Sequence, residues 1–434
     1  MSSSLIKPVA SVLTGLAALF SASPLDAAEV LPDAGRYGYS IASRHYGTLE
    51  GELVFEPTEY GMIARTPQYV LSLSGTGGRL VLNDGTGSDV SLETGVGGFL
   101  LSIESGPLRG EWQFTEDQAS PDRDYASIAA ALEQISVSWL YDPRLMETPT
   151  YTAFREVFSR CANSVNDDAA FIVCFENAWD GSLFSHYEIL RPLATMDGLL
   201  AEADQRAEDH PVARYEAIGP DIALVTIDTF FGLEIEAQID AAMMSAIESG
   251  AHNLIIDLRE NGGGTTSAIP VAARIVEERS VLGVFISNAW WRDHQGLPTP
   301  EALAARPVLN DRPRTELMGD LVSTGYAAAS LDPADNIFTG DVYVLTSART
   351  ASASEALVGM IKMTGRAVLI GETTAGQMLS SSFFPLPFEF SLRLPVADFY
   401  LSDGSRIDGV GVTPHIQTPA EDALQRALQE IGRE

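Results

Sequence analysis

The chain has 434 residues, and its 27 basic residues against 59 acidic ones give a formal net charge of −32. This length suffices for two or three domains, and 45% hydrophobic with 20% charged residues is a globular balance that excludes a disordered acidic protein. So negative a surface repels nucleic acids and anionic membranes, and we expect neither as a partner.

The first 28 residues are typical of a secretory signal peptide. Lys7 supplies a short positive region, residues 9–20 are apolar, and residues 21–28 offer small residues for cleavage. The apolar run is too short for a bilayer span, which needs about 20 residues, although a retained membrane anchor is the alternative. We therefore expect an exported protein, periplasmic or extracellular, with no stable membrane span after signal cleavage.

The sequence contains only two cysteines, Cys161 and Cys174, with twelve residues between them. In an oxidising compartment, a pair at this distance can close a helical hairpin as a disulfide. A metal site would need more ligands nearby, and no histidine or third cysteine lies between the two. We favour a disulfide over free thiols, and we expect neither a metal nor another cofactor.

The hydrophobic pattern changes along the chain from strands to helices and then to an alternation of both. Short alternating segments with glycine and asparagine turns predict a small antiparallel β domain over residues 29–117, with no catalytic constellation. Helical spacing predicts a helical subdomain over residues 118–215, and alternating strands and helices predict an α/β domain over residues 216–434. The predicted helices are 125–140, 152–162, 196–207, 235–248, 267–277, 352–364 and 420–431, and the predicted core strands are 222–227, 253–258, 281–286, 342–346 and 367–370.

One predicted core strand runs directly into three consecutive glycines, Gly262, Gly263 and Gly264. Because glycine has no Cβ, backbone N–H groups at such a turn can point at a bound anion or an oxyanion. The alternative is a plain tight turn between a strand and a helix. A nucleotide-binding P-loop is excluded, since no Gly-Lys-Ser/Thr sequence follows.

Two other positions are candidates for chemistry. Ser352 begins a predicted helix, where the helix dipole favours negative charge developing at a nucleophile, but with Glu355 it also forms an S-x-x-E capping box. His186 is one of six histidines and follows Ser185. A lone histidine is more often structural than a general base, so the pattern alone leaves both roles open for each residue.

Taken together, four segments in order resemble the tail-specific, or carboxy-terminal processing, peptidase family. They are DLRENGGG at 257–264, TASASE at 350–355, GRAVLIGETTAG at 365–376 and DGSRIDGVGVTP at 403–414. The resemblance covers about residues 185–416. It implies an exported serine-type peptidase acting on a peptide or protein substrate, with Ser352 as the nucleophile. It also implies an α/β core folded as the ββα spiral of ClpP and crotonase, preceded by a helical N-terminal subdomain.

The branch of this family depends on the general base. Many members pair the serine with a lysine, but Gln377 stands at that position here. After the predicted signal, the only lysine is Lys362, ten residues beyond Ser352 on the same predicted helix. It lies about 15 Å along the helix axis and on a different face, which excludes a serine–lysine dyad. Only 36 positions separate His186 from Ile222, too few for the PDZ domain that lysine-dyad members usually carry.

The other branch resembles the core of the tricorn protease and the interphotoreceptor retinoid-binding protein modules. Ser185 and His186 look like the serine–histidine pair of tricorn, which implies His186 as the general base. By the same resemblance, Ser185 and Asp408 orient the imidazole, although a glutamate stands in the family where this chain has Asp408.

The same resemblance implies an oxyanion hole made of backbone groups. The N–H of Ala353 and one N–H from Gly262 or Gly263 would hold the oxyanion.

A different class of function is a non-catalytic module that binds an apolar ligand or a peptide, as the retinoid-binding relatives do. The retained serine, histidine and carboxylate argue against it, because a pure binder gains nothing from them. Residues 290–341 interrupt the strand–helix alternation and form either a lid or a surface insertion. The pattern predicts neither cleavage specificity nor an oligomeric state.

Overall fold

A computed structural model describes residues 31–43, 46–75, 77–95, 97–116, 118–119, 122–191, 196–232, 234–299 and 314–432. The predicted signal peptide over residues 1–28 lies outside them. Within these ranges, no helix combines the length and the apolar character needed to cross a membrane.

Eight antiparallel strands close into a barrel at the start of the described chain. Each strand pairs with its neighbour in sequence, and the first returns to the eighth, with Tyr39 opposite Phe114. Alternate side chains point inward, and aromatic residues such as Phe55 and Trp112 fill the interior. This confirms the predicted antiparallel β region. The strands are β1 (Gly35–Ser43), β2 (Gly47–Thr58), β3 (Gly61–Arg65), β4 (Tyr69–Ser74), β5 (Gly77–Leu82), β6 (Gly87–Gly95), β7 (Gly98–Ile103) and β8 (Gly110–Glu116).

A helical segment follows the barrel and ends in a short strand. It contains α1 (Tyr125–Trp139), α2 (Pro149–Ala162), α3 (Asp168–Ala178), β9 (Glu188–Leu190) and α4 (Met196–Asp209). The disulfide between Cys161 and Cys174 joins α2 to α3, with the two Cα atoms 5.7 Å apart. Helix α3 was not predicted, because residues 168–175 are all buried and show no helical stripe.

Buried charges connect the barrel, the helical segment and the chain that follows β9. The Asp168 carboxylate, fully buried at the start of α3, accepts hydrogen bonds from Arg123 and Arg191 and from the Glu50 backbone N–H. The Arg191 backbone N–H also donates to the Tyr46 carbonyl at 2.7 Å. The ion pairs and this hydrogen bond therefore fix the chain at the end of β9 against the barrel.

The rest of the chain alternates strands and helices, as predicted. The strands are β10 (Ala213–Gly219), β11 (Ile222–Ile227), β12 (Asn253–Asp257), β13 (Ser280–Ser287), β14 (Tyr326–Leu331), β15 (Asp341–Thr346), β16 (Val368–Gly371), β17 (Ser380–Pro385), β18 (Ser391–Leu401) and β19 (Ile416–Gln417). The helices are α5 (Glu236–Glu248), α6 (Ile269–Ala273), α7 (Asn288–Asp293), α8 (Arg314–Thr324), α9 (Ala353–Thr364) and α10 (Ala423–Ile431).

These strands form two sheets. The first has the order β10-β11-β12-β15-β16-β19 and is parallel except for β10. The second is antiparallel with the order β14-β13-β18-β17, and β9 also pairs with β18. The pairing of β9 with β18 brings the chain around His186 to the core.

Two expectations about individual elements need correction. The helix predicted over 267–277 is shorter: the carbonyls of Ala273 and Arg274 accept N–H groups from residues 334 and 338, so the helix does not continue. Residues 326–331, within the stretch considered as a lid or insertion, form β14 at the edge of the second sheet. Their sequence, YAAASL, is poor in the residues that favour strands.

Candidate active site

A cleft of about 530 Å³ lies beside the carboxyl ends of β12 and β15. The glycine turn after β12 and the start of α9 after β15 form part of its wall, and Ser352 and His186 both line it. In sheets with parallel strands, this edge is where ligands bind, because loops and helix N-termini meet there. The fold therefore gathers residues from distant segments into one pocket.

Ser352 stands at the sharp turn from β15 into α9. Its φ of 56° and ψ of −122° place a non-glycine residue in a region of positive φ, which costs free energy and is typical of functional sites. The Ser352 N–H donates to the Glu355 carboxylate at 2.9 Å, and the Glu355 N–H donates to the Ser352 carbonyl at 2.8 Å, within a capping box at the start of α9. Ser352 also lines the cleft.

The Glu355 carboxylate organises the whole turn around Ser352. It is fully buried and also accepts the Thr374 hydroxyl at 2.6 Å and the N–H groups of Gly376 and Gln377 at 2.7 and 2.8 Å. Burial raises the pKa of Glu355, and its hydrogen bonds oppose that rise. The sequence indicated a helix cap at Glu355 but not this link to residues 374–377.

A hydrogen-bonded chain leads from Asp408 to His186. The Ser185 hydroxyl lies 3.0 Å from Asp408 Oδ1 and 2.6 Å from His186 Nδ1. Since the hydroxyl proton is donated to Asp408, Ser185 accepts from Nδ1–H, and Nε2 of the imidazole carries a lone pair. Burial and the positive charge of Arg393 lower the pKa of His186 to about 3, which keeps the imidazole neutral.

Ser352 and His186 share the cleft without a direct bond. Within the described residues, no hydrogen bond joins the Ser352 hydroxyl to the His186 imidazole. Hydrogen bonds between a nucleophile and its base are often long until a substrate binds, so this geometry is compatible with general-base chemistry.

The glycine turn approaches Ser352 so closely that a side chain would not fit. Gly263 has a φ of 90°, and a Cβ there would lie 2.4 Å from the Ala351 carbonyl oxygen and 2.6 Å from Ser352 Cβ. The Gly263 N–H donates to Asn261 Oδ1 at 2.9 Å, so it is not available for an oxyanion in this structure. Of the two glycine N–H groups expected as oxyanion donors, this hydrogen bond favours Gly262, together with Ala353.

Part of the chain matches a known protein family. Residues 221–418 match Peptidase family S41. This segment of the chain is similar to the S41 peptidases. The match includes Ser352, the glycine turn and Asp408, whereas Ser185 and His186 lie before it.

Individual relatives of the chain are distant. The chain is 27% identical over 191 residues to a carboxyl-terminal-processing protease of Picosynechococcus, covering 44% of this chain and 38% of the relative. It is 28% identical over 203 residues to the chloroplastic C-terminal processing peptidase of Tetradesmus obliquus, covering 47% and 36%. It thus spans less than half the length of these curated relatives. A lipoprotein from Streptococcus agalactiae has the same fold, with 16% identity and a TM-score of 0.50 over 72% of this chain and 97% of that one.

Lys362 lies away from the cleft that Ser352 lines. Lys362 is exposed, and its Nζ donates to the Thr413 carbonyl at 2.7 Å, outside the cleft. The Gln377 backbone N–H donates to the Glu355 carboxylate, and the Gln377 side chain is exposed. Among the described residues, no three His, Cys, Asp or Glu side chains are grouped to hold a metal ion.

The walls of the cleft are mainly apolar. Of the Arg, Lys, Asp and Glu side chains in the described part of the chain, Arg393 alone lines it, and it is paired with Glu188 at 3.3 Å. One side is formed by residues 380–383 of β17, which is the edge strand of the second sheet. The apolar side chains that line the cleft include Leu282, Phe285, Leu321, Val396 and Phe399.

Proposed function

We propose that this chain is a serine-type peptidase that hydrolyses peptide bonds. Ser352 is the nucleophile, His186 is the general base, and Ser185 and Asp408 orient the imidazole. The observation that carries the proposal is the hydrogen-bonded chain from Asp408 through Ser185 to His186, which ends in the cleft holding the Ser352 hydroxyl. The names of the S41 relatives agree with this activity.

The proposed reaction uses the protonation states of the site. His186 Nε2 takes the proton as Ser352 Oγ attacks the carbonyl carbon, and it later returns that proton to the leaving amine. Asp408, through Ser185, stabilises the imidazolium that forms in between. The N–H groups of Ala353 and Gly262 receive the oxyanion, where one such donor is worth about 3–4 kcal/mol of barrier.

The substrate, in this proposal, is an extended peptide that pairs with the free edge of β17. Main-chain hydrogen bonds to an edge strand hold a peptide without regard to its sequence. The cleft beside Ser352 is lined by Phe285 and Phe399 among other apolar side chains, so we propose cleavage next to an apolar residue.

The wider setting of the site is part of the same proposal. We propose an exported protein divided into a signal peptide (1–28), a β domain (29–117), a helical subdomain (118–215) and a peptidase core (216–434) of ClpP/crotonase type. The buried disulfide supports an oxidising compartment, since such bonds persist mainly there. The strand–helix alternation supports the proposed core.

Fluorophosphonate labelling, mapped by peptide mass spectrometry, tests this proposal. We expect an adduct on Ser352 that is lost in Ser352→Ala and His186→Ala. Ser323→Ala and His252→Ala are matched controls at exposed positions, and Lys362→Met tests the excluded dyad; all three should label as the wild type does. Labelling that survives His186→Ala, or stops in Lys362→Met, would contradict the assignment of the base.

A second candidate is a binding module for an apolar ligand, which the apolar walls of the cleft favour. Folded wild-type protein that takes no adduct on Ser352 but retains a fluorescent fatty acid in the cleft would support this alternative. Labelling of Ser352 with turnover of a peptide library would exclude it.

A further inference from the structure

A partly buried ion-pair network, in which the Arg406 side chain is 35% exposed, lies behind Asp408, and the proposed reaction makes no use of it. Arg406 donates from Nη2 to Asp408 Oδ2 at 3.2 Å and from Nε to Asp398 Oδ2 at 2.7 Å. Its Nη2 also reaches the Tyr141 hydroxyl at 3.1 Å. Asp398 and Asp408 are 1% and 3% exposed, so two buried carboxylates share one guanidinium.

We infer that Arg406 is a positioning residue for the general base: it keeps Asp408 ionised and oriented, and thereby fixes the tautomer of His186. The inference rests on the proposed peptidase function. Arg406 touches neither the cleft nor Ser352, so it acts only through Asp408.

The two carboxylate oxygens of Asp408 accept hydrogen bonds from different donors. Oδ1 accepts the Ser185 hydroxyl at 3.0 Å and the Met378 N–H at 3.2 Å, while Oδ2 accepts Arg406. With each oxygen held, the carboxylate cannot rotate away from Ser185. Removal of Arg406 leaves Oδ2 buried without this partner.

The charge of Arg406 matters because protonation of Asp408 would reverse the chain of hydrogen bonds. A protonated Asp408 donates to Ser185, and the Ser185 hydroxyl then donates to His186 Nδ1. The imidazole proton would have to sit on Nε2, which could no longer accept the proton of Ser352. An ionised Asp408 is therefore a condition for the base.

The surroundings of Asp408 work against its ionised form. Burial raises the pKa of Asp408 and of Asp398, and the positive charge of Arg406 opposes both effects. The hydroxyls of Tyr141 and Tyr400 face the same network, and burial raises the pKa of each, so both remain neutral. Asp398 competes with Asp408 for Arg406, because one positive charge serves two negative ones.

Three variants test the inference through the rate of fluorophosphonate labelling as a function of pH. Arg406→Met should move the acid limb of the profile to higher pH and lower the plateau by up to about 100-fold, the cost of misplacing a catalytic group by about 1 Å. Arg406→Lys keeps the charge but loses the forked geometry of the guanidinium. Its acid limb should therefore lie closer to the wild-type pH than that of Arg406→Met, while its plateau rate should stay below the wild-type rate. Asp398→Asn should move the acid limb to lower pH, because Arg406 then serves Asp408 alone.

Opposite shifts in Arg406→Met and Asp398→Asn are the result that a merely structural role would not produce. Shifts in the same direction, or an unmoved acid limb in folded Arg406→Met, overturn the inference while leaving the proposed peptidase intact. Wild-type protein without labelling at any pH overturns the peptidase proposal instead. Nitrogen-15 NMR of His186 reads the tautomer without any reaction. At a pH between the acid limbs of the two proteins, protonated Nδ1 in the wild type and protonated Nε2 in Arg406→Met are expected, and the same tautomer in both contradicts the inference.

Discussion

Replacement of Glu355 by glutamine is the sharpest test of how the turn at Ser352 is held. The carboxylate accepts four hydrogen bonds, two at each oxygen: Thr374 and Gly376 at Oε1, and Ser352 and Gln377 at Oε2. An amide of the same shape presents a donor to one of these pairs. Two N–H or O–H groups then face an NH₂ group instead of an oxygen.

The expected cost follows from those two lost bonds. A hydrogen bond to a charged acceptor contributes about 1.5–3 kcal/mol, so two amount to about 3–6 kcal/mol. Burial raises the pKa of Glu355, which means that its charge is itself costly to bury, and glutamine removes that cost. We therefore expect Glu355→Gln to lower the free energy of unfolding by about 2–4 kcal/mol, with the Ser352 turn distorted.

Urea unfolding at pH 7, with fluorophosphonate labelling of Ser352, measures both effects. The matched control is Glu421→Gln, the same chemical change at an exposed position, which should stay within about 0.5 kcal/mol of the wild type. The reasoning is refuted if Glu355→Gln unfolds within about 1 kcal/mol of the wild type and labels at the same rate.

Three further predictions concern the glycine turn, the disulfide and a buried acid. Gly263→Ala places a Cβ 2.4 Å from the Ala351 carbonyl, so we expect about 1–3 kcal/mol of destabilisation in urea and loss of labelling, and retained labelling would contradict the close approach. Cys161→Ser opens a bond across a sequence separation of 13 and should cost about 3 kcal/mol, measured by urea unfolding without reductant, whereas an unchanged midpoint would show that the bond does not stabilise the fold. Burial raises the pKa of Asp167 to about 6. The folded state therefore retains a proton that the unfolded chain releases near pH 3.9, so stability should fall as pH rises between these values. Asp167→Asn should flatten that fall in unfolding measured from pH 3 to 7, and an unaltered slope would refute the assignment.

Local signals in the sequence predicted the turn at Ser352 well. The strand before it, the position of Ser352 and the helix after it are encoded within one short segment, and the structure places α9 at Ala353–Thr364, beside the predicted 352–364. The glycine turn was predicted for the same reason, since three glycines after a buried strand signal close backbone approach whatever the remaining fold.

Other parts of the site depend on contacts that no local pattern reports. The use of the Gly263 N–H by Asn261 depends on a side-chain rotamer, so the sequence could not tell which glycine is left as a donor. Arg406 meets Tyr141 across 265 positions, and nothing near either residue indicates the other. The barrel closure is likewise invisible, because alternating strands look the same in an open sheet.

The bond between Ser185 and Asp408 joins residues 223 positions apart. The ribosome adds Asp408 after Ser185 and Ser352, so on the proposed function a chain not yet made as far as Asp408, or not yet folded, has the nucleophile without the carboxylate that orients its base. On the proposed function, a truncation before residue 408 should therefore yield a product with little peptidase activity.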